Sequence, residues 1–412
     1  MVTKMKKSLT AYWKIILLLT GIALIFNLIA FSKPFCDWYA IHIYRHIADA
    51  LGKFFAPVPF SVGEVLMYTG IGLLLLSLIL AVILIFLRKK TGYRKFAAHW
   101  FKSILMLLCV LLVCQTFEYI IPMRSSVLGI GKQETKEYGF EEICALTVWV
   151  TDELNATADQ IMAQSEKGVV DFPATEDNYP KIEAAMLACA DRYPRLEGDY
   201  PPIKNVFFPD LIDRLGIGGY TNTLTMEVMH CKYSLTPVYQ PVLDAHELAH
   251  HKGFYRESEA NFIAQIATAE SDDLFLRFAG LYDMFYYLLP EFDIAYSEYK
   301  DALIASGQVP AFESDFEGYI TAMRELFYTV FQNDSLYPDL NSAAEEIIWQ
   351  AVNIGLEIYS EDEHPLDELP AVNEVIEESA NIGWETQDVI LQEHNYDGVV
   401  LLLLQYYDGI LY

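Results

Sequence analysis

The chain has 412 residues, 28 basic against 56 acidic side chains and a net charge of -28, yet 53% of it is hydrophobic and its mean hydropathy is positive. A nucleic-acid surface needs clustered Lys and Arg, so no nucleic-acid partner is expected. The six cysteines contain no CxxC pair, which argues against a zinc ribbon or a thioredoxin-like motif.

The charge is unevenly divided. Residues 1–121 hold 13 basic and 4 acidic side chains, leaving 15 and 52 for the remainder. Ile15 to Ser32 and Val65 to Leu87 carry no charge, and Trp100 to Ile121 is apolar apart from Lys102 and Glu118 near its ends. A helix needs about 20 apolar residues to cross a bilayer, so these predict three transmembrane helices, at about 15–32, 65–87 and 100–121. Ser32-Lys33-Pro34 follows the first one instead of a small-x-small cleavage site, which favours a retained anchor. Lys4, Lys6, Lys7 and Lys14 precede it, and Arg88, Lys89, Lys90, Arg94 and Lys95 separate the second from the third; those segments are expected to face the cytoplasm. The expected organisation is a membrane domain, 1–121, embedded in the lipid bilayer, and an extracytoplasmic domain, 122–412.

In the loop between the first two spans, Trp38, Ile41, Ala48, Leu51 and Phe55 recur at helical spacing and predict a short helix in the outer interface. His42 and His46 are four apart there, but with no glutamate between them they supply only two ligands and read as ordinary surface histidines. Beyond residue 122, helices are predicted over Tyr138–Ala163 and Lys181–Asp191. A short β-type run follows at Val206–Phe208, then a strand or hairpin within Tyr220–His230, whose Thr, Val and Tyr content suits one. Helical patterns return over 259–289, 315–332, 342–359 and 398–407, and Ser360–Glu368 reads as a solvated acidic loop. The fold class is therefore mainly α with a small β-sheet.

Pro241 to Gly253 reads as a helix, with Pro in its first turn and Gly as its stop. Inside it stands His246-Glu247-Leu248-Ala249-His250. Residues four apart share a helix face, so His246 and His250 can present imidazoles to one zinc ion while Glu247 lies beside a bound water. A catalytic zinc has three protein ligands, and the third is sought in Glu257 or Glu259. On a continuous helix Glu257 would stand about 10 Å beyond His250, too far to ligate, so the chain must bend at Gly253. A second helix starting near Glu257 then returns that carboxylate to the ion with Asn261 one turn later, while Glu259 caps the helix or orients a histidine. Helix geometry favours Glu257. His251 points about 100° away and reads as a surface or helix-terminus group. His230, His364 and His394 lie outside the motif, and nothing in the spacing of Cys231 supports it as a soft ligand.

The block from Gly218-Gly219-Tyr220 through Thr225-Met226-Glu227-Val228, His246 to His250, Gly253-Phe254 and Arg256 to Phe262 resembles the bacterial membrane protein family called domain of unknown function 3810. So do the three N-terminal spans and the closing Asn395-Tyr396-Asp397-Gly398 segment. The resemblance implies a zincin-like domain with no assigned substrate. A more distant similarity is to gluzincin peptidases, in which a Glu followed four residues later by Asp or Asn supplies the third ligand; that pattern maps onto Glu257 and Asn261. The gap between His250 and Glu257 is shorter than in those peptidases, which leaves Glu257 and Glu259 both open.

The function expected from these residues is a membrane-anchored zinc metallopeptidase acting on a peptide or protein substrate, with Glu247 as general base. Thr223, Thr225 and Glu227 are expected on a substrate-binding edge strand, and Tyr220 or Tyr396 as oxyanion stabilisers. The negative charge favours basic or neutral peptides. The alternatives are a non-catalytic zinc-binding sensor or scaffold, and a hydrolase of a cell-envelope amide.

Overall fold

A computed structural model describes residues 10–126, 128, 138–234, 236–310, 314–331, 338–362, 364–369, 372, 373, 375, 376, 378–380 and 395–412. Helices dominate, as the Leu-, Ala- and Glu-rich runs of the chain favour. Three are long and apolar enough to cross a membrane: α1 (Ala11–Ile29), then, after two helices described below, α4 (Val62–Leu87), and a 33-residue stretch, Thr91–Met123. The last of these joins α5 (Thr91–Gln115), a π turn and the short α6 (Ile121–Met123). Leucine and isoleucine side chains along α1, α4 and α5 face outward, as lipid-facing surface does.

Between the first two spans, α2 (Lys33–Tyr39) and α3 (Arg45–Phe55) are joined by the π turn Ala40–Tyr44. Where the sequence predicts an interfacial helix, α3 keeps Phe54 exposed but buries Ala48 and Gly52 against the later part of the chain. A Cβ on Gly52 would come within 3.1 Å of the His251 ring and 3.2 Å of Pro201. The loop is thus part of the packed body around the site.

After residue 138 come α7 (Phe140–Gln164), α8 (Thr175–Ala188), α9 (Pro209–Arg214), α10 (Gln240–His251), α11 (Glu257–Ala269), α12 (Leu274–Ala305), α13 (Phe316–Phe331), α14 (Ser342–Ser360) and α15 (Asn395–Tyr407). Asp273 caps α12 by accepting from the N–H groups of Phe275 and Leu276, and Asn341 caps α14 by accepting from that of Ala344. One apolar core runs through Leu146, Val150 and Leu154 of α7, Leu248 of α10, Phe262 and Ile266 of α11, and Leu276 and Leu281 of α12. It holds α10 and α11 rigidly side by side.

The sheet is small. Strands β1 (Ile203–Asn205), β2 (Gly219–Thr221) and β3 (Val228–His230) lie in the order β1-β3-β2, with β1 parallel and β2 antiparallel to the central β3. The β-type run expected at Val206–Phe208 thus starts three residues earlier; Val206 adds only one N–H bond to the His230 carbonyl before the chain turns away. The β2–β3 turn is wedged against the spans. Glu227 accepts from the N–H groups of Val62 (3.1 Å) and Gly63 (2.7 Å) at the start of α4, and Gln115 donates to Thr223 (2.9 Å).

Candidate metal centre

The HExxH helix α10 ends where the sequence places the stop. Gly253 has φ +86°, and a Cβ there would lie 2.8 Å from the Tyr44 ring, so the left-handed turn and the close approach both require glycine. The Gly253 and Phe254 N–H groups reach back to the carbonyls of His250 and Ala249 and close the helix. Four residues later α11 starts at Glu257 and runs back beside α10.

That turn brings three side chains together that could hold one metal ion. One donor atom each from His246, His250 and Glu257 lies within 4.8 Å of the others. The Glu257 carboxylate is 3.2 Å from His246 Nε2 and 3.6 Å from His250 Nε2, and two ligands of one tetrahedral zinc stand about 3.3 Å apart. His250 Nδ1 is 2.7 Å from the Phe254 carbonyl. A carbonyl only accepts, so Nδ1 carries the hydrogen and Nε2 is left to face the cluster, the arrangement in which a histidine ligates through Nε2. Buried, borderline-soft nitrogen donors with one carboxylate suit zinc in charge and type.

Electrostatics describe the same cluster without an ion. Burial opposes charge on His250, but the Glu257 and Glu247 carboxylates outweigh it and raise its pKa to about 9. Burial would raise the pKa of Glu257, and the two imidazoles instead hold it well below the usual carboxylate range. A divalent ion would likewise supply positive charge to these carboxylates.

Glu247 is 3% exposed, and burial raises its pKa. Its carboxylate accepts from the Thr221 hydroxyl at 3.2 Å, and the same hydroxyl bonds the Glu247 carbonyl at 2.7 Å. A Cβ on Gly219 would sit 2.9 Å from Glu247 Cγ, so only glycine lets β2 lie this close to α10. No sequence signal singled out Thr221; the two-residue alternation of β2 does, once Gly219 is seen to face α10.

Several expectations need correction. Thr223 and Thr225 lie in the β2–β3 turn, and Glu227 is buried in an ion pair with Lys204 at 2.5 Å. The edge strands are β1 and β2, and β2 is the one beside α10; among the described residues no strand pairs with its other side. Alternation also turns Tyr220 away from Glu247, into a cluster with Val206, Ile212, Met229 and Cys231. Cys231 is thereby removed from the candidate ligands as well. Tyr396 starts α15 with its side chain outside the described residues, as is all of His394. Glu259 is buried away from the histidines: it accepts from the Leu128 N–H at 2.7 Å and pairs with Arg256 at 3.6 Å. Asn261 donates to the Tyr287 hydroxyl at 3.0 Å.

His251 is fully buried, not a surface group. Its Nδ1 meets the Met226 carbonyl at 3.0 Å. Beside it Lys252, also fully buried, donates to Asp49 (2.6 Å) and to the carbonyls of Asp199 (2.8 Å) and Glu197 (3.4 Å). His230 pairs with Asp244 at 2.8 Å on the side of α10 facing the sheet. The six cysteines are all free.

A family model described as protein of unknown function, DUF3810, matches residues 39–331, which include α4, α5, the sheet and the three clustered side chains. No curated protein matches the chain, and no solved structure does.

Proposed function

The chain belongs to the DUF3810 family, whose function is unknown, and on that premise we propose that it is a membrane-anchored, zinc-dependent peptidase of the zincin type. One observation carries the reading: His246, His250 and Glu257 converge within 4.8 Å while Glu247 lies buried beside β2, an outer strand of the sheet among the described residues. Zinc, when bound, supplies Lewis acidity and a water of near-neutral pKa.

The chain's own residues supply the rest. His246, His250 and Glu257 would hold the ion, with the Phe254 carbonyl fixing the ring of His250. An extended peptide adds to the free edge of β2 by backbone hydrogen bonds, which presents its carbonyl to the HExxH face of α10. Glu247, kept basic by burial and oriented by Thr221, takes the proton of the attacking water as the carbon–oxygen bond forms, and returns it to the nitrogen as the carbon–nitrogen bond breaks. The basic residues before α1 and between α4 and α5 support a cytoplasmic N-terminus and a site on the opposite side of the bilayer.

The test uses the full chain purified in detergent. Zinc content is measured by mass spectrometry and cleavage is read on a peptide library, for the native protein, Glu247→Gln and His246→Ala. The expected result is one zinc per chain, lost in His246→Ala but retained in Glu247→Gln, and cleavage at least about a hundredfold slower in both. Bound zinc without Glu247-dependent cleavage would replace the peptidase with a zinc-binding sensor.

A further inference from the structure

On the side of the sheet away from the metal ligands, the chain leaves β1 at Asn205 and turns through Val206, Phe207 and Phe208 before α9. Phe207 and Phe208 are 42% and 55% exposed, and Phe60, at the start of α4, is 45% exposed. These rings are ordered by the span. Phe208 meets the Tyr68 ring edge-on at 5.3 Å, and Phe60 lies 6.0 Å from Phe207. The Phe207 N–H donates to the Glu64 carboxylate at 3.0–3.1 Å, and Tyr68 donates to the same group at 2.9 Å.

The depth of this loop follows from helix length. Basic Arg88, Lys89 and Lys90 mark one end of α4. Counting back from Leu87 by about 20 residues at 1.5 Å each puts the other hydrocarbon boundary near Tyr68. The Phe208 ring, edge-on to Tyr68, therefore lies at that boundary, about two turns below the first residue of α4. Two exposed phenylalanines at this level sit beside the face of the span on which exposed Val65 and Ile71 flank Tyr68.

We propose that Phe207 and Phe208 insert into the leaflet at the Val62 end of α4, so that phospholipid is a direct partner of the loop that follows β1. Burial of aromatic side chains at the boundary between headgroups and acyl chains provides the affinity. The net-acidic surface of the surrounding domain makes a zwitterionic leaflet the compatible one. Since β1 pairs with β3, and β3 with β2, the same insertion seats the whole sheet on the bilayer. The inference rests on the span and the loop, not on peptidase activity.

The test places p-benzoylphenylalanine singly at positions 207 and 208 of the full chain in phosphatidylcholine vesicles, with Leu75 inside α4 and Val169, an exposed residue far from the spans in sequence, as references. After illumination, lipid adducts are counted by mass spectrometry. Yields at 207 and 208 should match that at Leu75 and exceed that at Val169 several-fold. Adducts at Leu75 with only the Val169 level at 207 and 208 would overturn the insertion; no adducts at Leu75 would remove the span and the insertion together.

Discussion

Two buried polar clusters on α10 and its immediate continuation make opposite use of similar residue types. Around His251 and Lys252, the ammonium meets three acceptors, the Asp49 carboxylate and two backbone carbonyls, one for each of its hydrogens. Its cation is part of the chain. At His246 and His250, two imidazoles and a carboxylate converge within 4.8 Å of one another. Where acceptors surround a covalently attached cation, the cluster fixes structure; where two imidazole nitrogens and a carboxylate oxygen converge, the donor set suits an exchangeable ion.

This contrast can be broken most severely at the first cluster. A chain beginning at residue 122 would leave Lys252 without Asp49, Glu227 without the N–H groups of Val62 and Gly63, and the turn at Gly253 without Tyr44. Buried groups deprived of partners cost several kcal/mol in total. Such a chain should show no cooperative unfolding by circular dichroism, whereas the full chain should. Lys252→Met in the full chain isolates one of these losses and should cost about 3–5 kcal/mol, because it strands the Asp49 carboxylate. A melting temperature unchanged by Lys252→Met would show that the cluster does not hold α3 to α10.

At the second cluster the effect should be conditional. Zinc that binds only the folded chain adds about 2.7 kcal/mol at a free concentration a hundred times its dissociation constant. His250→Ala should abolish that increment. In the absence of metal the same substitution should change stability by on the order of 1 kcal/mol, since the Glu257 side chain, 27% exposed, remains reachable by water. Thermal melts with and without zinc separate the two cases. An equal zinc-induced rise in His250→Ala would move the ion elsewhere.

The two clusters also differ in how far the sequence reveals them. His246, Glu247 and His250 are visible because a helix repeats every 3.6 residues, so a local string fixes a shared face. Glu257 could be reached because Gly253 signals the bend that brings it back. The three membrane-length helices were legible for a similar reason: hydropathy is a property of continuous sequence. Asp49 lies about 200 positions from Lys252, and nothing local links them; a buried lysine looks like any other helix-terminal cation until its partner is seen. The sheet suffered most. Strands of three residues carry little pattern, so the sequence does not separate the hairpin's turn from its edge, nor tell which face Tyr220 takes, since one step along β2 reverses the face to which a side chain points.

A third buried acid tests the contrast from the other side, with the smallest effect. Asp283 of α12 accepts from Gln265 at 2.8 Å and lies within the electrostatic reach of His246. Burial raises its pKa from 3.8 to about 6, against the opposing hydrogen bond from Gln265. Between those values the folded chain keeps a proton that the unfolded chain has released. The contribution of Asp283 is therefore fully present below pH 3.8 and is lost as the pH rises through about 6. A rise from 3.8 to about 6 corresponds to at most about 3 kcal/mol, and the partial exposure of the side chain reduces this to about 1–2 kcal/mol. Asp283→Asn keeps an acceptor for Gln265 but cannot ionise, so denaturant unfolding of the metal-free chain should lose that part of the decline in stability between about pH 4 and pH 7. Were the native chain and the variant to decline in parallel, Asp283 would be ionised throughout, and the face of α12 toward the histidines would be wetter than its packing implies.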